Sequence, residues 1–546
     1  MKLTYEKAGS FLEQAANMVV KVFGCGIFSF LIWYNMRYTQ HTLIGKDEKM
    51  INEPDSVLFN LLAAATVILA VWGLSVLERK LGEKAKRRIV LLAVAAAMIW
   101  IGCLSCWWIV GADRVPWEDQ AYIYGGASYV IEGQYVFFQK GGYFEMHPYQ
   151  LGLVWLMELL FRLAGTYNYQ IYEVLCGLMA PLIVYFGYKV TEELQGSFSV
   201  RILYCILISC CLPLVFYTSW VYGEIPYILA ALVSLWFLLK YLRGHKIRYL
   251  AGMVAGVTAA VMVRTSALVL LAAICLVIGV HAIRHKDLKI LIGGLLVALV
   301  PNLTMVGIRE MYEVRTGYEL GSGQPKLGWI SMGLQESNWG YGWYSYYPTL
   351  IYEEAGQETK AAEKIAMEDI RERLDVFYSD PDYAWTFFRE KLLSQWNDPL
   401  YQSIQFNTQF SEYMGPREGS LLWKVCYTDY FTKVLAFCDR LQFVVYLGAL
   451  LYFLLAVRRR SNVLEHALAV SVIGCFLLSV IWEAKARYIF TCYVTMFPLA
   501  AAGYCHLILR AGAVWENVWK KLVSGQRTEA AGLMSGNKVD RARRAK

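Results

Sequence analysis

The sequence predicts an all-α integral membrane protein with about twelve transmembrane helices, juxtamembrane helices and a large extracytoplasmic helical loop. Three observations predict it. The 546-residue chain is 57% hydrophobic and only 18% charged, against roughly 25% charged in soluble domains. Its mean hydropathy is +0.38. The apolar residues gather in runs of bilayer-crossing length that recur along most of the chain. A soluble enzyme, a coiled coil and a disordered chain are thereby excluded. The net charge of +8 is modest and sits in short clusters between apolar runs, a pattern of membrane orientation and not of nucleic-acid binding. Most of the 13 cysteines lie inside apolar runs, so no disulfide framework is expected.

The predicted spans are Met18–Tyr34, Ser56–Leu77, Ile89–Val110, Gln170–Lys189, Ile202–Trp220, Ile225–Leu242, Tyr249–Val263, Thr265–Ile283, Ile290–Ile308, Leu441–Val457, Val463–Trp482 and Tyr488–Leu509. Met1–Ala16 is polar and mixed in charge, so the first run is expected to remain as an anchor. One further run, Tyr149–Leu163, contains Glu158 and Arg162. Charge placement decides its status. Short loops rich in Lys and Arg face the cytoplasm, and four stand out: Glu78–Arg88 with six basic residues, Lys240–Arg248 with four, Arg284–Lys289 with three, and Arg458–Arg460. The tail after Leu509 adds nine. All fall on one side only if Tyr149–Leu163 stays out of the crossing count, as a juxtamembrane or re-entrant helix.

The organisation that follows is an N-terminal helix pair (1–88), a membrane core (89–310) with a first external loop at 111–169, an extracytoplasmic region (311–440), C-terminal membrane helices (441–509) and a basic cytoplasmic tail (510–546). The region Met311–Arg440 carries 12 basic against 19 acidic residues, as a translocated loop should. Within it Glu353–Tyr378 reads as one helix with Ala366, Ile370, Leu374 and Phe377 on one face, stopped by Asp380-Pro381. Tyr383–Trp396, rich in Trp and Phe with charges between, is expected along the membrane surface.

The chemistry concentrates after the third span, at Asp113-Arg114-Val-Pro116-Trp117-Glu118-Asp119-Gln120-Ala-Tyr122 and onward to Tyr143-Phe144-Glu145-Met146-His147-Pro148. Acids suit a first helical turn. The sharper reading of Asp119 is a general base whose basicity partial desolvation can raise.

This order, an apolar span, Trp-Glu-Asp119-Gln120-Ala-Tyr, a Tyr- and Gly-rich stretch, then Tyr-Phe-Glu145-Met-His147-Pro148, resembles the first external loop of C-type polytopic membrane glycosyltransferases. These are the multi-pass enzymes of the protein O-mannosyltransferase and lipid A aminoarabinose transferase type. Three further stretches agree: Trp220-Val-Tyr222-Gly223-Glu224-Ile-Pro226, Val263-Arg264-Thr265-Ser266, and Glu483-Ala-Lys485-Ala-Arg487-Tyr488. The acidic pair departs from the more usual Asp-Glu or Asp-x-Asp, the later motif has one proline where many relatives have two, and two spans precede the usual first one. The resemblance implies a polyprenyl-phosphate sugar donor, a glycan, lipid or protein acceptor hydroxyl, and inversion at the anomeric carbon. It makes Asp119 the catalytic base, with Glu118, Glu145, His147, Glu224, Arg264, Lys485 and Arg487 binding substrate. No cofactor is demanded; a divalent metal is left open, although no spaced ligand cluster marks a site.

Each residue also has a plain structural reading. Arg264 can snorkel, Lys485 and Arg487 can pair with Glu483, Glu224 can start a helix, and His147 can serve a turn. The run Trp339-Gly-Tyr341-Gly-Trp343-Tyr344-Ser-Tyr346-Tyr347 could stack on sugar or cover a polyprenyl chain, and membrane-belt anchoring is the reading preferred for it. The sequence therefore points to a transferase on the outer face of a bacterial cytoplasmic membrane, in contact with membrane lipid and not with nucleic acid. The rivals are a lipid-linked-sugar transporter or flippase, which should show internal repeats and mid-membrane charges, and a polysaccharide polymerase or ligase.

Overall fold

A computed structural model describes residues 2–43, 49–404, 416–458, 461 and 466–512. The expected basic tail lies almost wholly outside them. In chain order come α1 (Lys2–Asn35), the antiparallel strands β1 (Tyr38–Thr42) and β2 (Met50–Pro54), α2 (Val57–Lys80), α3 (Glu83–Ala112), α4 (Asp119–Ile131), α5 (Tyr143–Met146) and α6 (Leu151–Ala164). Then follow α7 (Gln170–Leu194), α8 (Phe198–Ser209), α9 (Leu212–Phe216), α10 (Glu224–Gly244), α11 (Ile247–Val263), α12 (Ala267–His285) and α13 (Leu288–Thr316). Helices α14 (Lys326–Gly333), α15 (Tyr347–Glu354), α16 (Thr359–Ser379), α17 (Pro381–Trp396) and α18 (Leu421–Tyr427) precede α19 (Tyr430–Leu455), α20 (Ala467–Ile481) and α21 (Ala486–Gly512).

This is an all-α integral membrane protein. Among the described residues nine helices are long and apolar enough to cross a bilayer, and the bent pair 198–219 makes a tenth if counted as one span. The two remaining predicted spans appear as shorter apolar helices, α11 and α20. The predicted span Ile202–Trp220 is bent by 56°, because Pro213 has no N–H to continue the ladder and instead opens α9. The 14-residue α6 is about 21 Å long, too short for a hydrocarbon core of about 30 Å. It buries Val154, Met157, Glu158 and Phe161. Glu158 takes hydrogen bonds from Arg162 at 2.6 Å and from Tyr312 of α13 at 2.9 Å.

Packing among the spans relies on small residues, since lipid supplies no hydrophobic drive between helices. Gly448 of α19 and Gly503 of α21 meet backbone to backbone: a Cβ on Gly503 would lie 1.9 Å from the Gly448 carbonyl oxygen.

Three expectations about the outer region are corrected. The single helix over Glu353–Tyr378 is broken into α15 and α16, because Gly356 (φ 66°) and Gln357 (φ 62°) take left-handed conformations. Leu374 stays 51% exposed while Ala366 and Phe377 are buried. Asp380 then does two jobs, ending α16 and capping α17 by accepting from the Tyr383 N–H at 2.9 Å. Finally, α17, expected along the membrane surface, is not open along its whole length. Its second half, Lys391–Trp396, is buried, with the Trp396 indole donating to Ser479 Oγ at 2.9 Å. Its chain continues into a buried segment where Asp398 accepts from the N–H groups of Leu400 and Gln402.

Candidate active site

The site forms where five polar turns meet: the start of α4, the α5–α6 turn, the turn before α10, the α11–α12 turn and residues 482–488 before α21. Each turn is tied to the next. Gln120 Oε1 accepts from Val221 N at 3.0 Å. Tyr222 accepts at its hydroxyl from Gln150 and at its carbonyl from the Tyr172 hydroxyl. Gly223 rests on the end of α11, where a Cβ would come within 2.2 Å of the Val263 carbonyl oxygen. Only glycine permits that approach.

Asp119 opens α4. The residue before it, Glu118, holds φ 49° and ψ −128°, a conformation that costs a side-chain-bearing residue about 1–3 kcal/mol. Asp119 accepts from the Tyr143 hydroxyl at 2.8 Å and its other oxygen lies 3.6 Å from Arg487 Nη2. The carboxylate keeps 38% of its side chain open. Burial pushes its pKa up. Arg487, His147, the Tyr143 hydroxyl and Lys485 together outweigh burial and hold it below the ordinary carboxylate value. This corrects the expectation that desolvation makes Asp119 more basic.

The cations stand on a frame of tyrosines and carboxylates. Arg264 donates to Glu224 and, through Nε, to Ser266 Oγ at 3.1 Å. Its guanidinium lies 5.3 Å from the Tyr488 ring centroid, and that of Arg487 lies 5.4 Å from the same ring and from Tyr222. Lys485 lies 3.9 Å from Glu483 and 5.6 Å from the Tyr344 ring. Glu483 accepts from the Tyr488 hydroxyl at 2.7 Å. Arg264, Lys485 and Arg487 are each under 8% exposed. The order of the motifs in the chain is thus replaced by one cluster joining Asp119, Glu224, Arg264, Lys485 and Arg487.

No family model and no curated protein matches the chain. Its fold resembles a solved structure, "Crystal Structure of ArnT from Cupriavidus metallidurans in the apo state". The two share 13% identity over 78% of this chain and 77% of that one, with a TM-score of 0.30. A likeness at that level bears on neither activity nor site residues.

Three of the eight candidate residues take other places. Glu145 is buried and accepts from the Gly141 N–H at 3.3 Å and the Tyr352 hydroxyl at 2.6 Å, fastening the first external loop to α15. Glu118 is exposed and shapes the backbone before Asp119. His147 borders the cluster, its Nδ1 3.2 Å from the Tyr149 hydroxyl and its ring 4.8 Å from Tyr143. Burial brings its pKa down to about 4, against the pull of Asp119, so the imidazole is neutral at neutral pH.

The sequence reading missed Tyr143, Tyr222 and Tyr488, although each stands inside a quoted motif. The belt expected at Trp339–Tyr347 is also corrected. Trp343 is sealed inside, donating to Ser394 Oγ at 2.9 Å, while Tyr344 faces Lys485. A divalent cation does not suit this donor set. The groups acting on Asp119 are two cations, an imidazole and a phenol, and among the described residues no three His, Cys, Asp or Glu side chains converge.

Proposed function

We propose that this chain is a membrane glycosyltransferase that moves one sugar from a polyprenyl-phosphate donor to an acceptor hydroxyl. It would act on the outer face of a bacterial cytoplasmic membrane. The observation that carries the reading is the pairing of Asp119, partly open and hydrogen-bonded to Tyr143, with Arg487 at the mouth of a bundle of membrane helices. A base and a phosphate-binding cation stand side by side, which displacement at an anomeric carbon requires.

In this reading Asp119 accepts the acceptor hydroxyl proton as that oxygen bonds to the anomeric carbon. The bond from that carbon to the phosphate oxygen breaks, and its electron pair leaves with polyprenyl phosphate. Arg487 and Lys485, with Arg264, stabilise the added negative charge. One displacement inverts the anomeric centre. Glu224 holds Arg264 in place, and Glu118, Glu145 and His147 shape the site.

Proteoliposomes containing the purified protein, given radiolabelled polyprenyl-phosphate sugars and a membrane extract as acceptor, test this. The expected result is label leaving the lipid donor for a new product. Donors that stay intact with every sugar and every extract would overturn it.

A further inference from the structure

We propose that a cluster of aromatic rings near Asp119 binds a pyranose ring, that of a glycan acceptor or of the donor's own sugar, and not a hydrocarbon chain. The words acceptor and donor here rest on the transferase reading; the binding of a pyranose does not.

The residues close a circuit around the site. Asp119 is hydrogen-bonded to Tyr143, whose ring lies 4.8 Å from that of His147. The His147 ring lies 6.5 Å from Trp329, and Trp329 lies 6.2 Å from Tyr344. Tyr344 lies 5.6 Å from the Lys485 ammonium, whose charge acts on Asp119. Trp482 joins the cluster, 6.4 Å from Trp329 with ring planes 14° apart; Trp329 and Tyr344 are 28° apart. Trp329 thus stacks with both Trp482 and Tyr344, two ring contacts away from the tyrosine that hydrogen-bonds Asp119.

These rings differ from the structural tryptophans of the fold. Trp108, Trp343 and Trp396 are no more than 1% exposed, and each donates its indole N–H to a serine hydroxyl. Trp329, Tyr344 and Trp482 are only half-buried. Their partial exposure leaves ring surface that a ligand can cover.

The chemistry selects the ligand. A polyprenyl chain laid on these rings would press hydrocarbon against Lys485, Glu483 and Asp119, stripping charges of water with nothing in return. A pyranose presents an apolar C–H face to the rings and hydroxyls at its rim to those same charges. Stacking there also sets a rim hydroxyl towards Asp119, the group that would take its proton.

Saturation-transfer difference NMR on the detergent-solubilised full-length protein tests this. The probes are methyl glucoside, galactoside, mannoside and N-acetylglucosaminide, with farnesyl phosphate in a separate arm. Saturation is expected on the C–H protons of at least one pyranoside, reduced about fivefold in Trp329→Ala, retained in Trp329→Phe, and present in Asp119→Asn. The farnesyl phosphate signal should not depend on Trp329. Trp482→Ala gives a second loss if Trp329→Ala does not fold. No pyranoside signal in the wild type, equal signals in both alanine variants, or loss of the farnesyl signal alone would each overturn the proposal. Pyranoside binding without any sugar transfer would leave the aromatic site standing and remove the transferase reading; transfer to a glycan unaffected by Trp329 would do the reverse.

Discussion

In the proposed function Asp119 is the residue on which the chemistry would turn, because among the described carboxylates it joins the cation cluster while keeping an open face. Asp119→Asn preserves size and can still accept from Tyr143, but it cannot take a proton. Transfer should fall by about a hundred- to ten-thousandfold with the thermal midpoint held. Wild-type rates in that variant would remove Asp119 from the mechanism. His147 supplies a different test. Its ordinary pKa of 6.5 is brought down to about 4 in the fold, so between those values the unfolded chain binds a proton that the folded one refuses. Stability is then fully present above 6.5 and declines with acidification toward 4. The thermal midpoint of the wild type should drop between about pH 7 and about pH 5, and His147→Gln should flatten that slope. Parallel slopes in the two proteins would show that other groups govern the acid response.

At the scale of the element, apolar periodicity and length were enough to read the helices, since a bilayer demands continuous apolar stretches and leaves little choice of structure. The breaks were harder. Pro213 was visible, yet the run around it remains apolar, and only packing shows that the chain bends there. The burial of α17 was not legible because its charged and aromatic residues look alike at a membrane surface and in a protein interface. Lys391 illustrates the point: a lysine reads as surface, but its ammonium donates to the Gly333 and Val480 carbonyls where α14 and α20 end, favourable ground for a cation. Turn geometry gives a prediction at this scale. Gly223→Ala would place a methyl 2.2 Å from the Val263 carbonyl oxygen, a backbone atom that cannot swing aside. The turn must shift, with an expected cost of about 1–3 kcal/mol and a displaced Glu224–Arg264 pair. Differential scanning fluorimetry and the transfer assay should both register the loss; an unchanged midpoint would mean the turn can relax freely.

Across the whole molecule, the candidate site was legible as a set of motifs but not as an arrangement. The short motifs around Asp119, Glu224, Arg264 and Arg487 were each quoted from the sequence, and charge bias alone put them at one end of the bundle. What joins them is supplied by tyrosines from different turns, and nothing local to Tyr143 or Tyr488 says which carboxylate it will meet. Glu145 shows the converse, an acid in a quoted motif whose partner Tyr352 lies 207 residues away and whose work is structural.

Sidedness is the property of the whole molecule on which donor access rests. It is tested by labelling single cysteines with a membrane-impermeant maleimide in a cysteine-free background. Tyr378→Cys, at an 89% exposed position of α16, and Lys246→Cys, exposed at the far end of α11, report the two ends. Tyr378→Cys should react on intact cells and Lys246→Cys only after permeabilisation. The opposite pattern would place Asp119 and its cations on the cytoplasmic face and contradict the proposed function.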